Sequence, residues 1–108
     1  MNEITNNELK CTIALAALQH VDDPEIGLNV VDLGLIYQID FDEPGHQIYV
    51  SMTLTTQFCP MGASISSAVK QALEQAFPGE QVNVNVVFDP PWNNTRISEE
   101  GQLFLNRR

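Results

Sequence analysis

The sequence predicts an α+β fold: a two-layer α/β sandwich in helix-strand-strand-helix-strand order, with a three-stranded sheet, both helices on one face and a short C-terminal helix. Three observations carry that expectation. "ITNNELKCTIALAALQHV" and the stretch from Pro60 to Phe77 repeat apolar residues at helical spacing. The runs 35–42, 48–55 and 82–88 alternate apolar with polar residues, as strands with one wet face do. Turn residues separate these runs, and one-sided strands with amphipathic helices bury their apolar faces as two layers. With 108 residues and no linker, repeat or low-complexity tract, 1–108 is expected to form a single domain.

The first helix is predicted to start at Thr5. Thr5 and Glu8 have capping-box spacing, and Ile4 and Leu9 stand at the staple positions. Leu9, Ile13, Ala16, Ala17 and His20 would form its apolar face, broadened by Leu15 and Leu18. "DDPE" ends it, because the residue before a proline is steered away from helical angles. "IGLNVVDLGL" reads as a partly buried loop with a turn of helix. In the first strand Leu35, Tyr37, Ile39 and Phe41 alternate with Ile36, Gln38, Asp40 and Asp42; in the second, Ile48, Val50, Met52 and Leu54 alternate with Tyr49, Ser51, Thr53 and Thr55. "EPGH" joins them as a turn, with Gly45 supplying the unusual backbone angle. Pro60 suits the first helical position, Met61, Ile65, Ala68, Val69, Ala72, Leu73, Ala76 and Phe77 line one face, and Pro78-Gly79 stops the second helix. "QVNVNVVF" is the third strand, and the tail "DPPWNNTRISEEGQLFLNRR" turns stiffly and ends in a helix from Ser98.

Fourteen acidic residues against five basic ones give a formal charge of −9. Such a surface repels phosphate backbones, so no nucleic-acid partner is expected. No apolar run approaches the length of a membrane span, and the N-terminus has no basic start followed by an apolar stretch. Two cysteines in segments of different character make no disulfide framework, so a reducing, cytoplasmic setting is expected.

Chemistry can be sought at a few positions. Cys59 falls at the start of the second helix, where unpaired amides and the positive end of the helix dipole favour a thiolate over a thiol. It reads equally as a small hydrophobe at a strand-helix junction. Cys11, mid-helix, reads as packing. Asp23 and Glu25, held by Pro24, are either solvated turn formers or hard oxygen ligands and proton acceptors. Trp92, after Pro90 and Pro91, either covers the sheet edge or is presented to a partner. Thr53 and Thr55 read as sheet residues facing away from the core whose hydroxyls could serve a thiolate or ligand. Metal, phosphate-loop and nucleophile-elbow motifs are absent, and His20 and His46 stand singly, so a Cys-His hydrolase is disfavoured.

"DDPEIGLNVVDLGLIY", "MTLTTQFCPMG" and "VVFDPPWNNTRIS", in that order, resemble the iron-sulfur cluster assembly domain family that includes the SufT and PaaD proteins and the MIP-type targeting factors. The resemblance spans roughly residues 8–106 and implies an accessory, carrier or targeting factor in iron-sulfur protein maturation more than a classical enzyme. It places the family's reactive cysteine on Cys59 of the Cys59-Pro60 pair, its acidic turn on Asp23 and Glu25, and its motif threonine on Thr53 or Thr55. The cargo it implies is a transient iron-sulfur cluster or iron, with none stably bound, since a thiolate-held cluster commonly takes four sulfurs. Partners would be iron-sulfur carrier or client proteins, or a second copy in a homodimer sharing a labile cluster through two Cys59 residues. A metal-free adaptor using the acidic surface and "DPPW" is the alternative. PaaD-like chains continue into a cysteine-rich tail and SufT proteins often carry an N-terminal extension, so a minimal stand-alone bacterial or archaeal member is expected.

Overall fold

A computed structural model describes residues 4–24, 26–55 and 62–106. Strand β1 (Ile4–Thr5) leads into helix α1 (Glu8–Leu18). After a long loop come β2 (Ile36–Asp42) and β3 (Gln47–Met52), then α2 (Gly62–Ala76), β4 (Gln81–Val86), a 3-10 turn at Asn94–Arg96 and α3 (Glu99–Asn106). The three expected strands form a mixed sheet: β2 and β3 antiparallel through the hairpin, β3 and β4 parallel through the α2 crossover. The two-residue β1 pairs parallel with β2, so among the described residues the order is β1-β2-β3-β4. Helix α1 packs on α2, and both share one buried cluster with the inner face of the sheet, built around Leu18, Leu33, Leu35, Ile39, Ile48, Met52, Ile65 and Leu73.

Helix α1 departs from expectation at its start and in its face. Ile4 and Thr5 pair with Gln38 and Ile39, which takes Thr5 out of capping reach. Asn7 caps instead, its side-chain oxygen accepting from Lys10 N at 3.0 Å. Asn6 fastens this entry by exchanging hydrogen bonds with the backbone of Phe41 at 3.0 and 2.9 Å. The buried side is Cys11, Ala14, Leu15 and Leu18, while Leu9 is 74% and Ile13 47% exposed. Apolar residues lie nearly all round this helix, so periodicity did not select a face; contact with α2 and the sheet did.

In β2 the register shifts between Ile36 and Gln38, a bulge that inserts one extra residue. Ile36 therefore joins Ile39 and Phe41 in the core, and Tyr37, expected inside, is only half-buried. At the hairpin turn the left-handed residue is His46 (φ 54°), not Gly45. A Cβ at Gly45 would meet only the carboxylate of Asp42, the end of an exposed side chain that can swing aside. Helix α2 buries Ile65, Val69 and Leu73 with Ala68, Ala72 and Phe77 beside them, as its period predicted. The helix expected from Ser98 is α3, which starts at Glu99, and the Ser98 hydroxyl caps it by accepting from Gly101 N at 3.0 Å.

Candidate functional site

The sheet end at the C-termini of β3 and β4 is built by two loops, the long one before β2 and the one after β3, that lace together through their backbones. Thr53, immediately after β3, donates its N–H to Leu35 O at 2.8 Å; Leu35 N–H donates to Val30 O at 3.0 Å, and Val30 N–H to Val21 O at 2.9 Å. Asp23 N–H donates to Leu28 O at 2.9 Å, closing the acidic turn on the same loop. Backbone hydrogen bonds thus tie Thr53 to Val21, two residues before Asp23, and the Asp23 turn closes on Leu28 of the same loop. Cys59, Pro60 and Glu25 lie outside the described residues; positions 56–61 join Thr55 to α2.

The loop from Ile26 to Leu35 folds as it does because Asn29 accepts from Val31 N and Asp32 N at 3.0 and 2.9 Å, and donates to Asp32 Oδ2 at 2.7 Å. One helical turn results, closed by Leu33 N–H on Asn29 O. Gly34 leaves it at φ +75°, packed so tightly on the backbone oxygen of Arg96 that no Cβ fits.

Asp23 is 1% exposed and acts as a turn former: its carboxylate accepts from Ile26 N at 3.4 Å and its carbonyl from Gly27 N at 2.7 Å. Thr53 corrects the expectation that it faces away from the core. It is 0% exposed, lying between buried Met52 and Leu54, because the β3 alternation stops at Met52 where Val87 N–H closes on Met52 O from one side and Leu35 takes Thr53 N–H on the other. Its Oγ1 has no hydrogen-bond partner among the described residues. Thr55 is half-buried.

The "DPPW" tail closes this end. Trp92 is half-buried against the core, and its Nε1–H donates to Leu33 O at 2.6 Å. Tyr37 OH donates to Pro90 O at 2.8 Å, and the Arg96 guanidinium sits 4.6 Å from the centre of the Tyr37 ring. Ser98 donates through N–H and Oγ to Asp32 at 2.7 and 2.9 Å. These contacts set Trp92 against the core and the loop that carries Leu33, while Pro90 and Pro91 are exposed. Sequence reasoning missed Asp32, Tyr37 and Arg96. Their partners stand 53 to 66 positions away for Tyr37 and Asp32, and no local spacing signals such a contact. Among the described residues no three His, Cys, Asp or Glu side chains gather as a metal site, and no helix is long and apolar enough to cross a membrane.

Comparison with known proteins gives a consistent result. Residues 13–86 match the family described as "Iron-sulfur cluster assembly protein". The "Fe-S protein maturation auxiliary factor YitW" of Bacillus subtilis is 37% identical over 91 residues, 84% of this chain and 88% of that one. The "Fe-S protein maturation auxiliary factor SufT" of Staphylococcus aureus is 39% identical, over 79% of this chain and 96% of its own. A crystal structure described as the domain of unknown function DUF59 from Bacillus anthracis superposes with a TM-score of 0.84 at 35% identity, covering 94% of this chain and all of that one. The family match includes Asp23, Glu25, Thr53, Thr55, Cys59 and Pro60, and stops before Pro90, Pro91 and Trp92.

Proposed function

Because this chain belongs to the iron-sulfur cluster assembly protein family, we propose that it serves the maturation of iron-sulfur proteins as an accessory, carrier or targeting factor, with Cys59 as the sulfur that touches the cargo. The observation that carries the reading is the Thr53 hydroxyl, fully buried and without a partner among the described residues, at the mouth of the segment that bears Cys59. A buried hydroxyl left unpaired costs about 1–3 kcal/mol, and such groups are retained where a ligand completes them.

The cluster is cargo. A cluster held by thiolates commonly takes four, and one Cys59 cannot fill that shell. The step that needs one sulfur is ligand exchange: the Cys59 thiolate forms a bond to iron as one bond to the carrier breaks, and a client thiolate later displaces Cys59. No electron is transferred; each displaced thiolate leaves free to take a proton. Thr53 Oγ–H supplies a hydrogen bond to sulfur at this end. Asp23 shapes the turn that carries Glu25, and Glu25 supplies the oxygen ligand that steadies iron between the two thiolate bonds.

Anaerobic transfer from a loaded carrier to an apo-client tests this. Cys59→Ser should lower transfer to background with an unchanged melting temperature; undiminished transfer overturns the role. The adaptor alternative requires Trp92→Ala to abolish client capture while Cys59→Ser does nothing.

A further inference from the structure

Strand β4, "QVNVNV", is the last strand of the sheet, and among the described residues nothing pairs with its outer side. The direction of its backbone groups follows from two bonds. Gln81 N–H donates to His46 O at 2.8 Å and Val87 N–H to Met52 O at 2.7 Å, so the odd-numbered residues face β3. In a parallel ladder a residue sends its N–H and C=O to the same side. Val82, Val84 and Val86 therefore turn theirs outward. Edge strands are ordinarily blunted by lysine, proline, bulges or short length. β4 is six residues long, carries no charge and no proline, and pairs with β3 in unbroken register. Beside it lies a shallow groove of about 350 Å³ whose α2 wall is Ser66 and Ser67, small side chains that leave the edge approachable, with the flexible Lys70 beyond them. Val84 and Val86 are only half-buried.

We propose that β4 pairs antiparallel with β4 of a second copy of this chain, about a two-fold axis at Val84, to make one continuous sheet. The sequence is self-complementary in that register. Val84 meets Val84, Val82 meets Val86, and each exchanges N–H and C=O as a hydrogen-bonded pair. Asn83 meets Asn85 on the opposite face. Valine thus opposes valine and amide opposes amide throughout, whereas a shift by one residue would set valine against asparagine. Charge favours the same edge. Two copies of a chain of net charge −9 repel over most of their surface, but β4 is neutral and no carboxylate lines its groove, so this edge meets its own copy without opposed acidic charge. One strand pair buries less than the roughly 1,200 Å² of a standard interface, so the dimer should be weak, with a dissociation constant in the micromolar range.

The arrangement stands apart from the functional reading but bears on it. Antiparallel pairing sets the two Thr53 ends at opposite ends of the joined sheet, roughly 20 Å apart along the strands alone. Each protomer therefore keeps its own Thr53 end, away from the strand pair that joins the two copies.

Sedimentation and amide hydrogen exchange on the intact protein, from micromolar to millimolar concentration, test it. The expected result is a concentration-dependent dimer in which the Val82, Val84 and Val86 amides gain about tenfold protection or more while those of Asn83 and Asn85, already bonded to β3, do not change. Asn83→Asp with Asn85→Asp should weaken the dimer at least about tenfold relative to Asn83→Lys with Asn85→Asp, since the first opposes like charges and the second opposite ones. A monomer at millimolar concentration, a dimer that leaves the three valine amides unprotected, or equal association of the two charge variants overturns the proposal. The exchange measurement needs no variant, so misfolding of either pair leaves it decisive.

Discussion

The two ends of the sheet are built on opposite plans. At the hairpin end, polar groups are paired close to water: Asp42 accepts from Gly45 N at 3.2 Å, Lys10 meets Glu43 at 2.5 Å, and His46 lies 3.4 Å from Glu80. Each pair borders solvent and is replaceable by water. At the other end the backbone is buried under two loops and a tail, the tethers span long stretches of chain, and the Thr53 hydroxyl has no partner among the described residues. The hairpin end closes the fold cheaply. The Thr53 end combines a close backbone approach at Gly34 with a buried hydroxyl that has no partner among the described residues, the pattern of a site whose last partner is a ligand.

If that contrast is right, the most damaging substitutions lie at the Thr53 end. Gly34→Ala should be the largest: a β-carbon there must tolerate φ +75° and strikes the Arg96 backbone. A loss of about 3 kcal/mol is expected, read from the urea midpoint. Trp92→Ala should follow at about 2 kcal/mol, less than for a fully buried tryptophan because the ring is half-exposed, with the loss divided between packing and the hydrogen bond to Leu33. Losses near zero for both would mean that the tail is an ornament and the two ends are alike.

The same contrast explains what could be read from the chain beforehand. Helix α2 was legible because Ile65, Val69 and Leu73 form a stripe on an otherwise polar helix. Helix α1 was legible as a helix but not in its orientation, since Leu9 and Ile13 compete with Leu15 and Leu18 and only tertiary contact decides. β2 lost its expected face at Tyr37 through a bulge, which carries no sequence mark. At the site, Asp23 and Thr53 were singled out by residue type and by resemblance. Their link runs through backbone bonds among Val21, Val30 and Leu35, whose side chains announce nothing. The burial of Thr53 was misread because alternation was carried one residue past the end of β3.

Thr53→Val separates stability from function at one atom. Valine keeps the shape and removes a hydroxyl that has no partner among the described residues. Stability should rise by about 1 kcal/mol, since an unpaired buried polar group is exchanged for an apolar one of the same size. Cluster transfer should fall. A destabilised Thr53→Val would show that the hydroxyl is satisfied in solution, and unchanged transfer would detach it from the site.

The smallest effect belongs to the hairpin end. Hydrogen bonding to Lys10, then its charge, holds the Glu43 carboxyl below its ordinary pKa, although the group is fully solvated. A carboxylate whose pKa is lower in the folded than in the unfolded protein adds stability above its unfolded pKa, and that stability disappears as pH falls through the folded value. Glu43→Gln should therefore leave neutral-pH stability close to wild type at moderate salt, where exposed pairs are screened, and should flatten only the acid limb of the melting-temperature profile. Comparison of the two profiles at low and high salt checks this: the difference should shrink with salt. A Glu43→Gln loss as large as that of Trp92→Ala would mean that the hairpin end depends on one specific ion pair, and the contrast between a replaceable end and a committed one would fail.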